Sequence, residues 1–316
     1  MAHPRTECFA GYTMDLLTDK TASMSFFPGF RRLDVTVDDV RFAGVMGGNG
    51  APLLLLHGYP QTHIAWRKIA HDLARSWTLI IPDLPGYGAS QIGTTKPRWT
   101  KQRVARSLTA LMQHLGYQKF AVVGHDRGAR AGFRLALDYP DLVTAFSSLA
   151  VVPVLDAMSA VDHQFAARNF HWFFLSQPEG LPEKLLAAAP DAFIEHSLAT
   201  MANGLENIEP QALAIYREAF RNPKVRHAIC EDYRAAMNED MDLDRIDRTS
   251  GKKLLCPVQV LWPTSDPRNT AKTQIEIWSQ WANDVTGMTI HAGHLLPEES
   301  PQAVISALRS FLPIRV

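Results

Sequence analysis

The segment Gly124-His125-Asp126-Arg127-Gly128 constrains this chain more than any other. It follows the apolar run Phe120-Ala121-Val122-Val123, which suits a buried strand, and precedes a helical pattern from Ala131 to Leu137. Small residues on either side let a strand turn sharply into a helix and hold the central side chain up at the strand's C-terminal end. That side chain is a carboxylate. An aspartate raised there can attack carbon and become an alkyl ester, which points to carbon–halogen bonds or epoxides rather than to peptides or lipids.

Around this turn, strand-like runs alternate with helical patterns. Leu33 to Val37 and Val40 to Ala43 read as an antiparallel hairpin, and Leu53 to Leu56, Thr78 to Ile81 and Phe120 to Val123 as short apolar strands of a parallel sheet. Gln102 to Leu115 has helical spacing, and Val143 to Val152 reads as a further strand. From about 155 to 245 the segments are helix-like and broken by Pro178, Pro182, Pro190, Pro210 and Pro223. The sheet then resumes at Val258 to Trp262 and Gly287 to Ile290, and Pro301 to Phe311 closes as an amphipathic helix. The pattern predicts an α/β-hydrolase fold, a mostly parallel sheet covered by helices with an inserted helical cap. The core spans 26–154 and 246–316, the cap 155–245, and residues 1–25 form a tail that is poorly ordered or draped over the surface.

Composition narrows the partners. With 46% hydrophobic residues in 316, the chain can bury a full core. Its 32 basic and 32 acidic residues cancel, which gives no electrostatic reason to expect nucleic acid or an anionic membrane. Three cysteines, Cys8, Cys230 and Cys256, lack metal-ligand spacing and suit a reduced, cytoplasmic compartment. No run approaches the ~20 apolar residues of a membrane span, and the first 25 residues show no secretory apolar region.

In this fold a nucleophile, an acid and a histidine follow one another along the chain, each at the end of a strand. Asp126, Asp266 and His294 meet that order, although an Asp before Pro267 or a loop His is by itself ordinary. His57-Gly58-Tyr59-Pro60 follows the strand Leu53 to Leu56, where the fold draws one oxyanion-hole amide; Tyr59 and Arg127 would be the two donors. Arg127 and Arg130 fall in the first turn of the elbow helix, where positive charge opposes the helix dipole at ~0.3–1 kcal/mol each. They serve either a substrate carboxylate or protein carboxylates such as Asp83 or Asp141.

Several further motifs carry a resemblance. Gly124 to Arg130, His57 to His63, His171-Trp172, Cys230-Glu231-Asp232-Tyr233-Arg234-Ala235 and Gly293 to Glu299 resemble the fluoroacetate (haloacetate) dehalogenases over about Phe27 to Phe311. The resemblance implies that Arg127 and Arg130 hold a substrate carboxylate, and that His171, Trp172 and Tyr233 hold the leaving halide. It also implies dimerisation. An imidazole N–H, an indole N–H and a phenol O–H can converge on a small anion. The substrate expected is a small halogenated carboxylic acid, and neither a metal nor an organic cofactor is required.

Two positions depart from that family. Its acid at the end of the strand after the elbow helix corresponds to Ala150 here, in Leu149-Ala150-Val151-Val152-Pro153, which leaves Asp266 to orient His294. A cap Trp of some members corresponds to Met201. The rival readings are an epoxide hydrolase, which would use two cap tyrosines such as Tyr216 and Tyr233, and a haloalkane dehalogenase, which would carry Trp where Arg127 stands. A non-catalytic binding protein on the same fold is the remaining alternative.

Overall fold

The computed structural model describes residues 23–264 and 274–312. The leading tail therefore falls largely outside the described residues. Its last part, Ser23–Phe26, is a short 3-10 helix leading to the buried Phe27.

Nine strands form one sheet among the described residues: β1 (Arg31–Val37), β2 (Val40–Gly47), β3 (Ala51–Leu56), β4 (Trp77–Pro82), β5 (Gln91–Ile92), β6 (Phe120–His125), β7 (Val143–Leu149), β8 (Val258–Pro263) and β9 (Val285–Ile290). The order is β1-β2-β4-β3-β6-β7-β8-β9, with β5 paired to β2. The hairpin β1–β2 and the β2–β4 pair are antiparallel, and every pair from β4 to β9 along that path is parallel. Leu53 to Leu56 and Phe120 to Val123 are fully buried, as continuous apolar strands between two layers of helices must be. The two-residue β5 was not legible in the sequence.

The chain runs from β3 outward to β4, then crosses to β6 on the other side of β3. That reversal opens a crevice at the C-terminal ends of β3 and β6, where ligands of open α/β sheets bind. Tyr59 follows β3, and Asp126 follows β6.

Strand β7 ends at Leu149, short of the expected Val152, because Ala150 takes a φ of 67° and turns the chain out of the sheet. Helices from Val154 to Ser250 occupy the stretch between β7 and β8. The expected cap boundary at 245 lies inside the helix Met241–Ser250, so the helical stretch runs past it. Among the described residues no helix is long and apolar enough to cross a membrane.

The elbow helix Arg127–Asp138 is buried from Arg127 to Leu137. Two of its arginines meet carboxylates from the last helices of the insertion. Arg127 pairs with Asp232 at 2.7 Å, and Arg134 with Asp247 at 2.6 Å. The insertion is thereby joined to the elbow helix by ion pairs as well as by packing.

Candidate active site

Asp126 sits at φ 49°, ψ −115°, a conformation L-residues rarely hold. The flanking glycines make it attainable: a Cβ on Gly124 would lie 2.6 Å from the amide nitrogen of Ala129, and one on Gly128 would strike the carbonyl of Leu56. The amide of Asp126 still reaches the sheet, donating to the Leu149 carbonyl at 3.2 Å.

The two oxygens of Asp126 have different surroundings. Oδ1 accepts the backbone N–H of Tyr59 at 3.0 Å. Oδ2 lies 3.5 Å from Nε2 of His294 and 3.9 Å from Nη1 of Arg130. Burial opposes ionisation of this carboxyl, but His294 and Arg130 outweigh it and hold the pKa well below the usual carboxylate range. Asp126 is therefore an anion at neutral pH.

His294 is fixed by its backbone. Its N–H donates to the Met201 carbonyl at 2.8 Å, its own carbonyl lies 2.8 Å from Nε2 of His125, and Glu299 accepts the flanking amides of Gly293 and Leu295 at 2.7 and 3.0 Å. In the sequence Glu299 stands only as the end of a motif, because a carboxylate gathering two loop amides has no sequence signature of its own. Asp266 lies outside the described residues.

Tyr59, His171, Trp172 and Tyr233 form one aromatic cluster. His171 stacks on Tyr59 at 5.5 Å, and Tyr233 meets Tyr59, His171 and Trp172 edge-on at 5.4, 5.7 and 5.9 Å. Burial pushes the pKa of His171 down to about 4 against the attraction of Asp126, so the ring is neutral and keeps one N–H to donate. The phenol of Tyr233 is driven well above its ordinary value, chiefly by burial and by Asp126, and stays protonated.

The two arginines of the elbow differ. Arg130 lines the cavity with its Cζ 4.5 Å from the centre of the Trp172 ring. Arg127 commits Nε and Nη2 to Asp232, at 2.8 and 2.7 Å, and Nη2 also to the Asp232 carbonyl at 2.9 Å. Its Nη1 is buried and has no hydrogen-bond partner, while Cζ lies 4.5 Å from the centre of the Tyr233 ring. Of the two guanidiniums expected to hold a substrate carboxylate, Arg130 lines the cavity, whereas Arg127 is turned to Asp232 and is not part of the lining. The protein carboxylate that it meets is neither Asp83, which binds His63, nor the exposed Asp141.

Asp232 also accepts from Nζ of Lys101 and from the hydroxyl of Tyr87, the latter at 2.8 Å. Burial disfavours its charge, yet Arg127 and Lys101 hold its pKa far below the normal range. Sequence reasoning did not single out Asp232. Its one signal is its place before Tyr233, which gave no reason to choose it over Glu231.

Asp126, Arg130, His171, Trp172 and His294 line a cavity of about 540 Å³, and Arg127, Asp232, Tyr59 and Tyr233 pack behind that lining. A buried carboxylate on a strained turn, a histidine 3.5 Å away and a backbone N–H on the other oxygen are the parts of a nucleophilic hydrolase site. The chain belongs to the alpha/beta hydrolase fold family, whose model matches residues 51–301.

Within that family it is 36% identical to a fluoroacetate dehalogenase of Burkholderia sp, over 90% of this chain and 95% of the relative. It is 31% identical to a soluble epoxide hydrolase of Corynebacterium sp., over 88% and 96%. Among solved structures, a "putative epoxide hydrolase" mutant from Pseudomonas aeruginosa with bound MFA shares 48% identity at a TM-score of 0.87, covering 90% of this chain and 96% of that one.

Proposed function

We propose that this hydrolase removes halide from a 2-halo carboxylic acid through an ester on Asp126. The supporting observation is Arg130, a buried guanidinium lining the cavity with Nη1 3.9 Å from Asp126. A cation lining the cavity beside the nucleophile suits an anionic substrate.

In the first step Oδ2 of Asp126 forms a bond to the alpha carbon as the carbon–halogen bond breaks, and the halide leaves with the bonding pair. His171, Trp172 and Tyr233 donate to the departing anion. In the second step His294 takes a proton from water, which adds to the ester carbonyl carbon. The amides of Tyr59 and Arg127 hold the oxyanion. Collapse expels the hydroxy acid's oxygen, which takes the proton from His294, and frees the Asp126 carboxyl, whose proton passes to solvent. Halide release from chloroacetate tests the reading, and a protein that released none would refute it.

The epoxide-hydrolase reading draws on the relatives and on Tyr233. Against it, the hydroxyl of Tyr216 is already engaged by the protein, donating to Glu298 at 2.8 Å and accepting from Gln61 at 3.2 Å. Tyr216→Phe is expected to change kcat/KM for chloroacetate by less than about threefold, since loss of its hydrogen bonds to Gln61 and to the Arg67-paired Glu298 acts on stability rather than on the reaction. Turnover of styrene oxide that Tyr216→Phe abolished would favour the epoxide reading instead.

A further inference from the structure

We propose, building on the dehalogenase reading, that the preferred acid carries an apolar group on its alpha carbon, and that this group lies in a side lobe of the cavity along the ends of β7 and β8. The cavity measures about 540 Å³. A haloacetate has about five non-hydrogen atoms, and even at the ~30 Å³ a water molecule takes in the liquid it fills roughly 150 Å³. Most of the space is left over, divided between an apolar part and a part lined by the polar Arg168, Asn169, His196 and Asn203.

The sheet locates the apolar part. His125 pairs with Leu149 and Leu149 with Leu261, so Asp126, Ala150 and Pro263 stand near one another at the ends of adjacent strands. All three line the cavity. Its floor therefore runs from the nucleophile away from β3, while the aromatic cluster proposed for the halide stacks on Tyr59, on the β3 side. Ala150, Val151, Ala157 and Phe165 line the same cavity and are 2%, 4%, 1% and 8% exposed. Their side chains carry no polar atom. Water there has few partners, whereas hydrocarbon fits.

The lobe also selects a hand. In-line attack by Asp126 sets the halide opposite Oδ2, and Arg130 sets the carboxylate. The two remaining substituents of the alpha carbon, hydrogen and the apolar group, exchange places between enantiomers. One enantiomer turns its group into the lobe, and the other turns it away.

Two measurements test this. Halogen-free acids separate binding from the slower displacement at a branched carbon, so acetate, propanoate and butanoate are compared as inhibitors of chloroacetate turnover. Inhibition constants are expected to fall about fourfold per methylene, the equivalent of ~0.8 kcal/mol. Chloride release is then followed from each enantiomer of 2-chlorobutanoate, in the wild type and in Ala157→Leu. One enantiomer is expected to react at least tenfold faster, and Ala157→Leu should lower its kcat/KM relative to chloroacetate about tenfold. Flat or rising inhibition constants, equal enantiomers, or a ratio untouched by Ala157→Leu, with chloroacetate still turned over, would overturn the lobe and leave the dehalogenase reading standing. Failure to release chloride from any of these acids would overturn both.

Discussion

Tyr59 donates its backbone N–H to Oδ1 of Asp126 at 3.0 Å, so the amide proposed to hold an oxyanion already rests on the proposed nucleophile. In the proposed mechanism the attacking atom is then Oδ2, the oxygen facing His294 and Arg130. Once Oδ2 is esterified, Oδ1 is the carbonyl oxygen, and the same N–H polarises it without rearrangement.

This geometry predicts where solvent oxygen goes. A single turnover in oxygen-18 water should place the label in the side chain of Asp126 and leave the first molecule of product unlabelled. Label in that product would mean direct attack by water. Asp126→Asn keeps an oxygen for Tyr59 but loses the anionic nucleophile, and halide release should fall to background.

The two elbow arginines should respond differently to removal. Arg130→Met is expected to lower kcat/KM for haloacetates by about 1.5–3 kcal/mol of transition-state binding, the worth of a charged hydrogen bond. Arg127→Met strips the buried Asp232 of its bidentate partner, and breaking such a pair costs about 3–5 kcal/mol of stability. Thermal melts should show the larger loss in Arg127→Met. Equal melting temperatures would contradict the assignment of Arg127 to Asp232.

His171 gives a pH signature. Its folded-state pKa is lowered from 6.5 to about 4, so the unfolded chain binds the extra proton first as the medium is acidified. Stability is thus full above about pH 6.5 and drains away towards pH 4, by up to roughly 3 kcal/mol. His171→Gln should lose markedly less stability than the wild type across that window in denaturant titrations. Parallel curves for the two proteins would show that His171 is not neutral in the folded state.

Asp266 carries the expectation drawn from chain order alone. If it orients His294, ester formation survives its loss, because Asp126 needs no base to displace halide, but hydrolysis stalls. Asp266→Asn should release about one halide per active site in a burst and accumulate alkylated protein, seen as a mass increase. Steady turnover at the wild-type rate would remove Asp266 from the mechanism.

The elbow, the central strands and the helical insertion were legible because each rests on local pattern. Continuous apolar runs mark strands buried on both faces, and Gly124 and Gly128 mark a turn that a side chain would block. Partnerships formed across the fold were not legible. Arg127 and Asp232 are far apart in sequence, and nothing in either neighbourhood distinguishes that carboxylate from Asp83 or Asp141. The end of β7 was misplaced because Ala150 leaves the sheet at positive φ, where the sequence offers only more apolar residues.

Asp232 belongs to the inserted helices, while the cations it neutralises, Arg127 and Lys101, belong to the elbow helix and to the helix Lys101–His114. The insertion is therefore not a removable module. Cutting it away would leave two buried positive charges in the remaining core without their shared counter-ion, next to the residue meant to react. A shortened chain lacking these helices would be a damaged sheet rather than a minimal enzyme, and grafting a foreign insertion would require a carboxylate returned to this one place.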